Sequence, residues 1–499
     1  MKHARKLGLV SLILAACVAL PACSGSSKLS GDPLTDARDP GLSTEDRAKA
    51  VHLAWAETEP GTSERESVRQ SLKDLAWAPN APAKLRLAAL DELIHDTNPE
   101  SLADSRTSIR LLLPTEQDRG IVTYIAEASA RYGWTEMTPA LVRQYARPIE
   151  DEPDAARIER TSLERLHPGV PVEKVAFDVF LNPGTDPGPY KARWDLRTRA
   201  AAWDLLGRLD ADGSLRAQLL SSDSGISIDP SDRALTDLRA CLAELRTVPR
   251  NGEELRWLDN LRDPKNRANG AWWQEVRSVV SNLTNEQAQG LRLMHLEHVR
   301  VASQRSPDWL RAGREELLSS VRSRLDGRPT HQRSRGVDFT RQISELLRDQ
   351  EDRFSWGDLL TVLVLDDAIR DPRLVEALFG QVELDRKDTT TEYGGMIATG
   401  QSGYVATMYP PRPSNRLGDR KFIASDDLIT SSDRALAHYH FHVQRVQNRE
   451  YAGPSDGDLD YAARLGRVCV VFTSLDAQTL NADLYFPGGY VLDLGQITR

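Results

Sequence analysis

Cysteine is scarce, with four in 499 residues, at positions 17, 23, 241 and 469. Cys241 and Cys469 stand far apart, so no disulfide framework holds the chain together and stability must come from packed cores. Positive charge is not in surplus either. Lysine plus arginine total 64 against 73 aspartate plus glutamate, a net charge of -9 that leaves no general attraction for a polyphosphate backbone and disfavours nucleic acid as a partner. The apolar run from Leu7 to Leu20 is too short to span a bilayer comfortably, and mean hydropathy is -0.46, which excludes a membrane channel. What remains is a chain 40% hydrophobic and 27% charged, long enough for about two to four domains with buried cores.

The amino terminus reads as an export signal, with Lys2, Arg5 and Lys6 ahead of the apolar run. Leu20-Pro21-Ala22-Cys23 resembles the bacterial lipobox, which implies cleavage after residue 22 and lipidation of Cys23. Leu14-Ala15-Ala16-Cys17 fits that consensus better, but it leaves a very short apolar core and would keep apolar residues in the mature chain. Ser24-Gly25-Ser26-Ser27 then follows Cys23 as a flexible polar tether. An ordinary cleaved signal peptide is the plainer reading of the same residues. Ser24, rather than aspartate, after the lipidated cysteine directs the expectation to the outer membrane, facing the periplasm.

Four segments are expected: a signal peptide over 1–22, the lipidated cysteine and tether over 23–45, a helical region over 46–370 and an α/β domain over 371–499. In the helical region, Leu85, Ala88, Ala89, Leu93 and Ile94 repeat at helix spacing, as do Ile121, Tyr124, Ile125 and Ala128. Arg86-Leu87-Ala88-Ala89-Leu90-Asp91-Glu92-Leu93 aligns with Arg199-Ala200-Ala201-Ala202-Trp203-Asp204-Leu205-Leu206, a form that resembles the inner helix of a HEAT-type repeat. An irregular helical domain with coincidental alanine-rich helices explains the same residues. Composition then shifts near residue 380. All ten tryptophans precede it, whereas eight of the twelve tyrosines follow it. Strand-like runs are expected at 403–408, 438–443, 468–473 and 490–494, after a helix over 374–382 opened by Asp371-Pro372.

The α/β segment carries the chemistry. His438, His440 and His442 alternate within five residues, and alternate positions of a strand share a face, so either neighbouring pair can present two imidazoles to one metal ion. Downstream, Ser455 and Asp458 lie three apart at a helix start, on the side that could face the histidines. Upstream, Glu392 precedes Gly394 and Gly395, which allow close backbone approach. On its own each of these is ordinary. Glu392 alone is a strand carboxylate, and Asp456 and Asp460 are solvated helix-start charges.

In that order, however, the residues resemble the JAMM (MPN-type) metalloproteases, whose pattern is a glutamate before a glycine-containing strand, then His-x-His, then Ser-x-x-Asp. The resemblance covers residues 371–499 and implies an α/β fold with a mixed sheet and a zinc site. It makes His440, His442 and Asp458 the zinc ligands, Glu392 the general base and Ser455 a stabiliser of the oxyanion. His440 and His442 are preferred over His438 and His440 because Tyr439 then fills an aromatic position common before the first ligand. His438 becomes a neighbour in the second shell, a substrate contact or a satisfied buried histidine. Two departures stand out. Twelve residues, Val443 to Pro454, separate His442 from Ser455, where the family usually has about seven, and Val443 replaces a frequent proline.

The expected function is an envelope lipoprotein whose zinc-dependent domain hydrolyses a peptide or isopeptide bond in a protein or peptide substrate, with a lipid anchor as its tie to the membrane. The competing expectation is a non-catalytic envelope scaffold with an inactive JAMM-like domain. Peptidoglycan hydrolysis rests on the inferred compartment alone.

Overall fold

The computed structural model describes residues 30–149, 152–184, 191–226, 229–331, 343–401, 403–418 and 422–499. The signal segment and Cys23 lie outside the described residues. Helices run from Pro33 to Asp385, and a six-stranded mixed sheet follows, so the coarse layout is an α-helical region followed by an α/β segment. No helix among the described residues is long and apolar enough to cross a membrane.

Contacts divide the chain into two compact units, 1–128 and 129–499. The change of secondary structure near residue 370 is therefore not a boundary of compactness: helices from Ser129 onward belong with the sheet. The tether expected to reach residue 45 is also shorter. Pro33–Arg38 is helical, with Asp32 as its cap accepting from Leu34 N at 3.1 Å, and Asp36, Ala37 and Leu42 are buried. Six residues offer too little apolar periodicity to reveal such a helix, and Asp32-Pro33 was its only signal.

In the first unit, α1 (Thr44–Ala56) buries Ala48, Val51 and Ala54, and α2 (Ala83–Ile94) buries the stripe Leu85, Ala88, Ala89, Leu93 and Ile94. α3 (Arg119–Tyr132) buries Ile121, Ile125 and Ala128. The two aligned arginines behave alike. Arg86 pairs with Glu116 and donates to Ala76 O at 2.9 Å, while Arg199 pairs with Asp232 at 2.7 Å and donates to Leu181 O at 3.4 Å. Each guanidinium thus joins a carboxylate about a helical pair downstream to an upstream carbonyl.

In the second unit, α4 (Gly252–Leu261), α5 (Leu293–Arg305) and α6 (Trp356–Ile369) pack with the sheet segment. Trp257 on α4 donates to Asp433 O at 2.7 Å, and Arg300 on α5 donates to Thr399 Oγ1 at 2.9 Å. α7 (Pro372–Asp385) begins where Asp371 caps it, but its buried stripe is Leu374, Leu378, Phe379 and Val382, with Ala377 exposed. Then come β1 (Gly394–Gly400), β2 (Gly403–Met408), β3 (Ala437–His442), α8 (Asp456–Leu465), β4 (Cys469–Ser474), β5 (Thr479–Tyr485) and β6 (Val491–Thr498).

The sheet order is β2-β1-β3-β4-β5-β6, and β3 with β4 is its parallel pair, joined by a crossover through α8. Strand β1 crosses against β3 with Gly394 opposite His440, and a Cβ on Gly395 would lie 2.0 Å from Thr407 O. Glycine is thus required for β1 to fit between its neighbours. Leu459 and Ala462 of α8 pack on Cys469, Val471, Tyr485 and Val491. Both Cys241 and Cys469 are buried free thiols.

Candidate metal centre

The crossover explains why a strand and a helix meet at one point. β3 ends at His442, a loop follows, and α8 starts with Ser455 as its cap. The end of β3 and the first turn of α8 therefore face each other across the top of the parallel pair. His440 Nε2 lies 3.2 Å from His442 Nε2. Asp458 Oδ1 is 3.4 Å from His440 Nε2, and Asp458 Oδ2 is 3.9 Å from His442 Nε2. Glu392, just before β1, places a carboxylate oxygen within 4.8 Å of ligand nitrogens of both histidines. Glutamate, two histidines and aspartate, distant in the chain, thus converge. His438 does not join this group.

Neighbours fix the ring orientations. His442 Nδ1 donates to Tyr451 O at 2.7 Å, which leaves Nε2 as the nitrogen with the lone pair. His440 Nδ1 faces the Tyr485 hydroxyl at 3.4 Å, and its ring stacks on Phe422 with centroids 5.7 Å apart. Gln444 Nε2 donates to Glu392 Oε1 at 2.5 Å. Ser455 and Asp458 form a reciprocal cap: Asp458 N donates to Ser455 Oγ at 3.3 Å, while Ser455 Oγ and N donate to Asp458 Oδ2 at 2.8 and 2.7 Å. The hydroxyl expected to face an oxyanion is here engaged in holding the Asp458 carboxylate.

Charge and burial act together. Burial opposes the charged form of His440, but the Asp458 carboxylate outweighs it and raises the imidazole above its ordinary value. Burial would raise Asp458, yet the charge and hydrogen bond of His440 hold its carboxyl well below the carboxylate range. His442 is pushed down to about 4 by burial and then by the neighbouring His440. The Asp458 carboxylate thus favours the charged form of His440, while burial and His440 favour the neutral form of His442.

This donor set fits zinc. Zinc bonds of about 2.0–2.1 Å in a tetrahedral shell put neighbouring ligand atoms about 3.3 Å apart. His440 Nε2 meets that spacing with His442 Nε2 at 3.2 Å and with Asp458 Oδ1 at 3.4 Å, while His442 Nε2 and Asp458 Oδ2 stand wider, at 3.9 Å. Two imidazole nitrogens and carboxylate oxygen are also the donor types that zinc accepts.

The site opens into a cavity of about 1140 Å³. Phe422, Ile423, Ile429 and Tyr461 give it an apolar side, and Gln444 and Asn448 a polar one. His438 lines it as well, buried, with Nδ1 2.8 Å from the Tyr461 hydroxyl. Burial, then Arg467 and Arg256, push His438 well below its ordinary value, so it is a neutral histidine.

Tyr451, Tyr485 and Gln444 were missed in the sequence. Gln444 had a signal, because it continues the period-two row His438, His440, His442. Tyr451 acts through its carbonyl, which any residue possesses, so it had none.

Comparison with known proteins returns no matching family model, no matching curated protein and no matching solved structure. The functional reading therefore rests on the order of the motif residues and on their convergence.

Proposed function

We propose that this chain is an envelope lipoprotein whose C-terminal segment is a zinc-dependent peptidase or isopeptidase of JAMM type acting on a protein or peptide substrate. The observation that carries the reading is the convergence of His440, His442 and Asp458, with His440 at tetrahedral ligand spacing from the other two, Glu392 beside the two histidines and a cavity of about 1140 Å³ in front. His440, His442 and Asp458 would hold the ion. When bound, zinc supplies Lewis-acid polarisation of a carbonyl and acidification of water.

The residues of the chain do the rest. Glu392 takes a proton from water and returns it to the leaving amine, while the Gln444 amide holds its Oε1. Ser455 keeps the Asp458 carboxylate turned toward His440. Phe422 and Tyr485 keep the His440 ring in place. The cavity exceeds the usual small-ligand pocket volume of about 300–1,000 Å³ and is large enough for several residues of an extended peptide. Upstream helices, with their repeated arginine arrangement, offer a HEAT-like surface for recruiting the substrate protein. The lipobox-like Leu20-Pro21-Ala22-Cys23 is the support for the membrane anchor, and Ser24 after it the support for the periplasmic face of the outer membrane.

One observation favours a second reading, a non-catalytic scaffold: the Glu392 carboxylate accepts a 2.5 Å hydrogen bond from Gln444. Zinc content and proteolysis separate the two. The purified chain should carry zinc, the Glu392→Gln variant should keep zinc while losing about 10²-fold or more in hydrolysis, and His440→Ala with His442→Ala should lose both. A zinc-bound parent with no hydrolysis of any peptide or isopeptide library would leave the scaffold; zinc-free protein after reconstitution would end the enzyme reading.

A further inference from the structure

A second group of metal-compatible side chains lies in the first unit, on α1 and α2, and has no part in the centre described above. His52 on α1 and Asp91 and Glu92 on α2 each offer a ligand atom, all within 4.8 Å of one another. His52 Nδ1 is 2.5 Å from Glu92 Oε1. The Tyr124 hydroxyl on α3 donates to Asp91 Oδ1. His95, the C-cap of α2, lies one helical turn beyond Asp91 and places Nδ1 3.2 Å from Asp91 Oδ1.

Three features distinguish this group from a surface ion pair. Asp91 and His95 are four apart at the end of one helix, so both reach the same face, the spacing with which a helix chelates a metal through two side chains. His52 and Glu92 approach that face from two different helices, which gives a mixed imidazole and carboxylate set rather than an acidic cluster. The Tyr124 hydroxyl donates to Asp91 Oδ1, the kind of outer support that ligating carboxylates receive in metal sites. Solvent reaches the group: the His52 side chain is 46% exposed and that of Asp91 45%.

We propose that His52, Asp91 and Glu92 bind a divalent transition ion of the zinc class, with His95 completing the shell by rotating from the Asp91 carbonyl it now contacts at 2.8 Å. Binding spreads His52 and Glu92 to ligand spacing and ties α1 to α2. The site is independent of the reading of the sheet centre, because no residue is shared.

Zinc titration of the full-length chain by equilibrium dialysis tests it. The parent should bind one equivalent more than His52→Ala, and Asp91→Asn should weaken that equivalent at least tenfold. His52 is exposed, so His52→Ala should fold and melt like the parent in chelator. Zinc should raise the melting temperature of the parent above that of His52→Ala. Because the readout is the difference between two proteins that share the sheet centre, it holds whether that centre binds zinc or not. Equal stoichiometry and equal zinc-dependent melting in parent and His52→Ala would overturn the proposal.

Discussion

Ser355-Trp356-Gly357-Asp358 and Ser455-Asp456-Gly457-Asp458 write the same Ser-x-Gly-Asp pattern at two helix starts, and they build the same local structure. In each, the serine hydroxyl and amide donate to the aspartate, and the aspartate amide donates back: 2.6, 2.9 and 3.2 Å at Ser355, against 2.8, 2.7 and 3.3 Å at Ser455. In each, a histidine Nε2 meets the aspartate Oδ1, His295 at 3.1 Å and His440 at 3.4 Å. The second lies in a cavity beside another histidine and a glutamate. A reciprocal helix cap with a histidine is therefore a structural device first, and the surroundings make it a candidate metal centre.

The far ring nitrogen shows how. Arg292 N donates to His295 Nδ1 at 3.1 Å, so the proton sits on Nε2 and points at Asp358. His442 Nδ1 instead donates to a carbonyl, which turns the Nε2 lone pair toward His440 Nε2, 3.2 Å away, inside the cluster. Gly357 also packs flat on the His295 ring, where a Cβ would lie 2.5 Å from Nδ1. Burial, opposed by Asp358, lowers His295, and Arg292 and Arg250 lower it further. His440 faces Asp458, Glu392 and Asp385, and goes up despite burial.

The strongest way to break the comparison is at the histidines. His440→Ala with His442→Ala should remove the tightly bound zinc equivalent and all hydrolysis, while His295→Ala keeps zinc; metal analysis of the three proteins decides this. His295→Ala should instead cost about 3 kcal/mol of stability, because it leaves Asp358 buried without its histidine, seen as a lower urea midpoint. The serines give a finer test. Ser355→Ala and Ser455→Ala should each cost about 1 kcal/mol as lost helix caps. Only Ser455→Ala should also weaken zinc, by about tenfold, through a less well held Asp458.

A buried carboxylate paired with another carboxylate sharpens the contrast last. Asp493, beside Asp483, is pushed up to about 6 by burial, against the hydrogen bonds from Gly495, His331 and Asn481. In the folded chain it keeps its proton where the unfolded chain has lost it, so its contribution is full below the ordinary carboxylate value and falls as pH rises through about 6. Asp493→Asn should therefore gain stability relative to the parent at pH 8 compared with pH 5, measured as the difference in urea midpoints.

The convergence of Glu392, His440, His442 and Asp458 was legible because each residue belongs to a short motif whose geometry follows from strand or helix period. β1 and β5 were not read as full strands. β1 opens with two glycines that earn their place by close packing rather than by strand preference, and β5, over Thr479–Tyr485, buries polar Asn481 and Asp483 among its apolar residues. The seam at residue 128 was invisible because compactness depends on which helices pack with the sheet, and contacts such as Trp257 with Asp433 join residues 176 apart in sequence. The reciprocal bond between Ser455 and Asp458 is a further feature that the motif order did not spell out, although their three-residue spacing at a helix start is that of a capping box.

The twelve-residue stretch from Val443 to Pro454 stands out as the longest departure from the pattern its flanks follow. Asn448 N donates to Ser474 O at 2.8 Å, Arg449 Nε donates to Leu475 O at 3.2 Å, and Tyr451 returns its carbonyl to His442. The segment is thus pinned at the end of β4, while His442 and Ser455 are each held by their own strand and helix. In evolutionary terms, Gln444, Asn448 and Tyr451 hold the segment to the site, which leaves the exposed Arg445 and Val446 side chains as the places where composition can drift at little cost to coordination. Variation among descendants of this chain should gather there, as a change of what is gripped rather than of what is done to it.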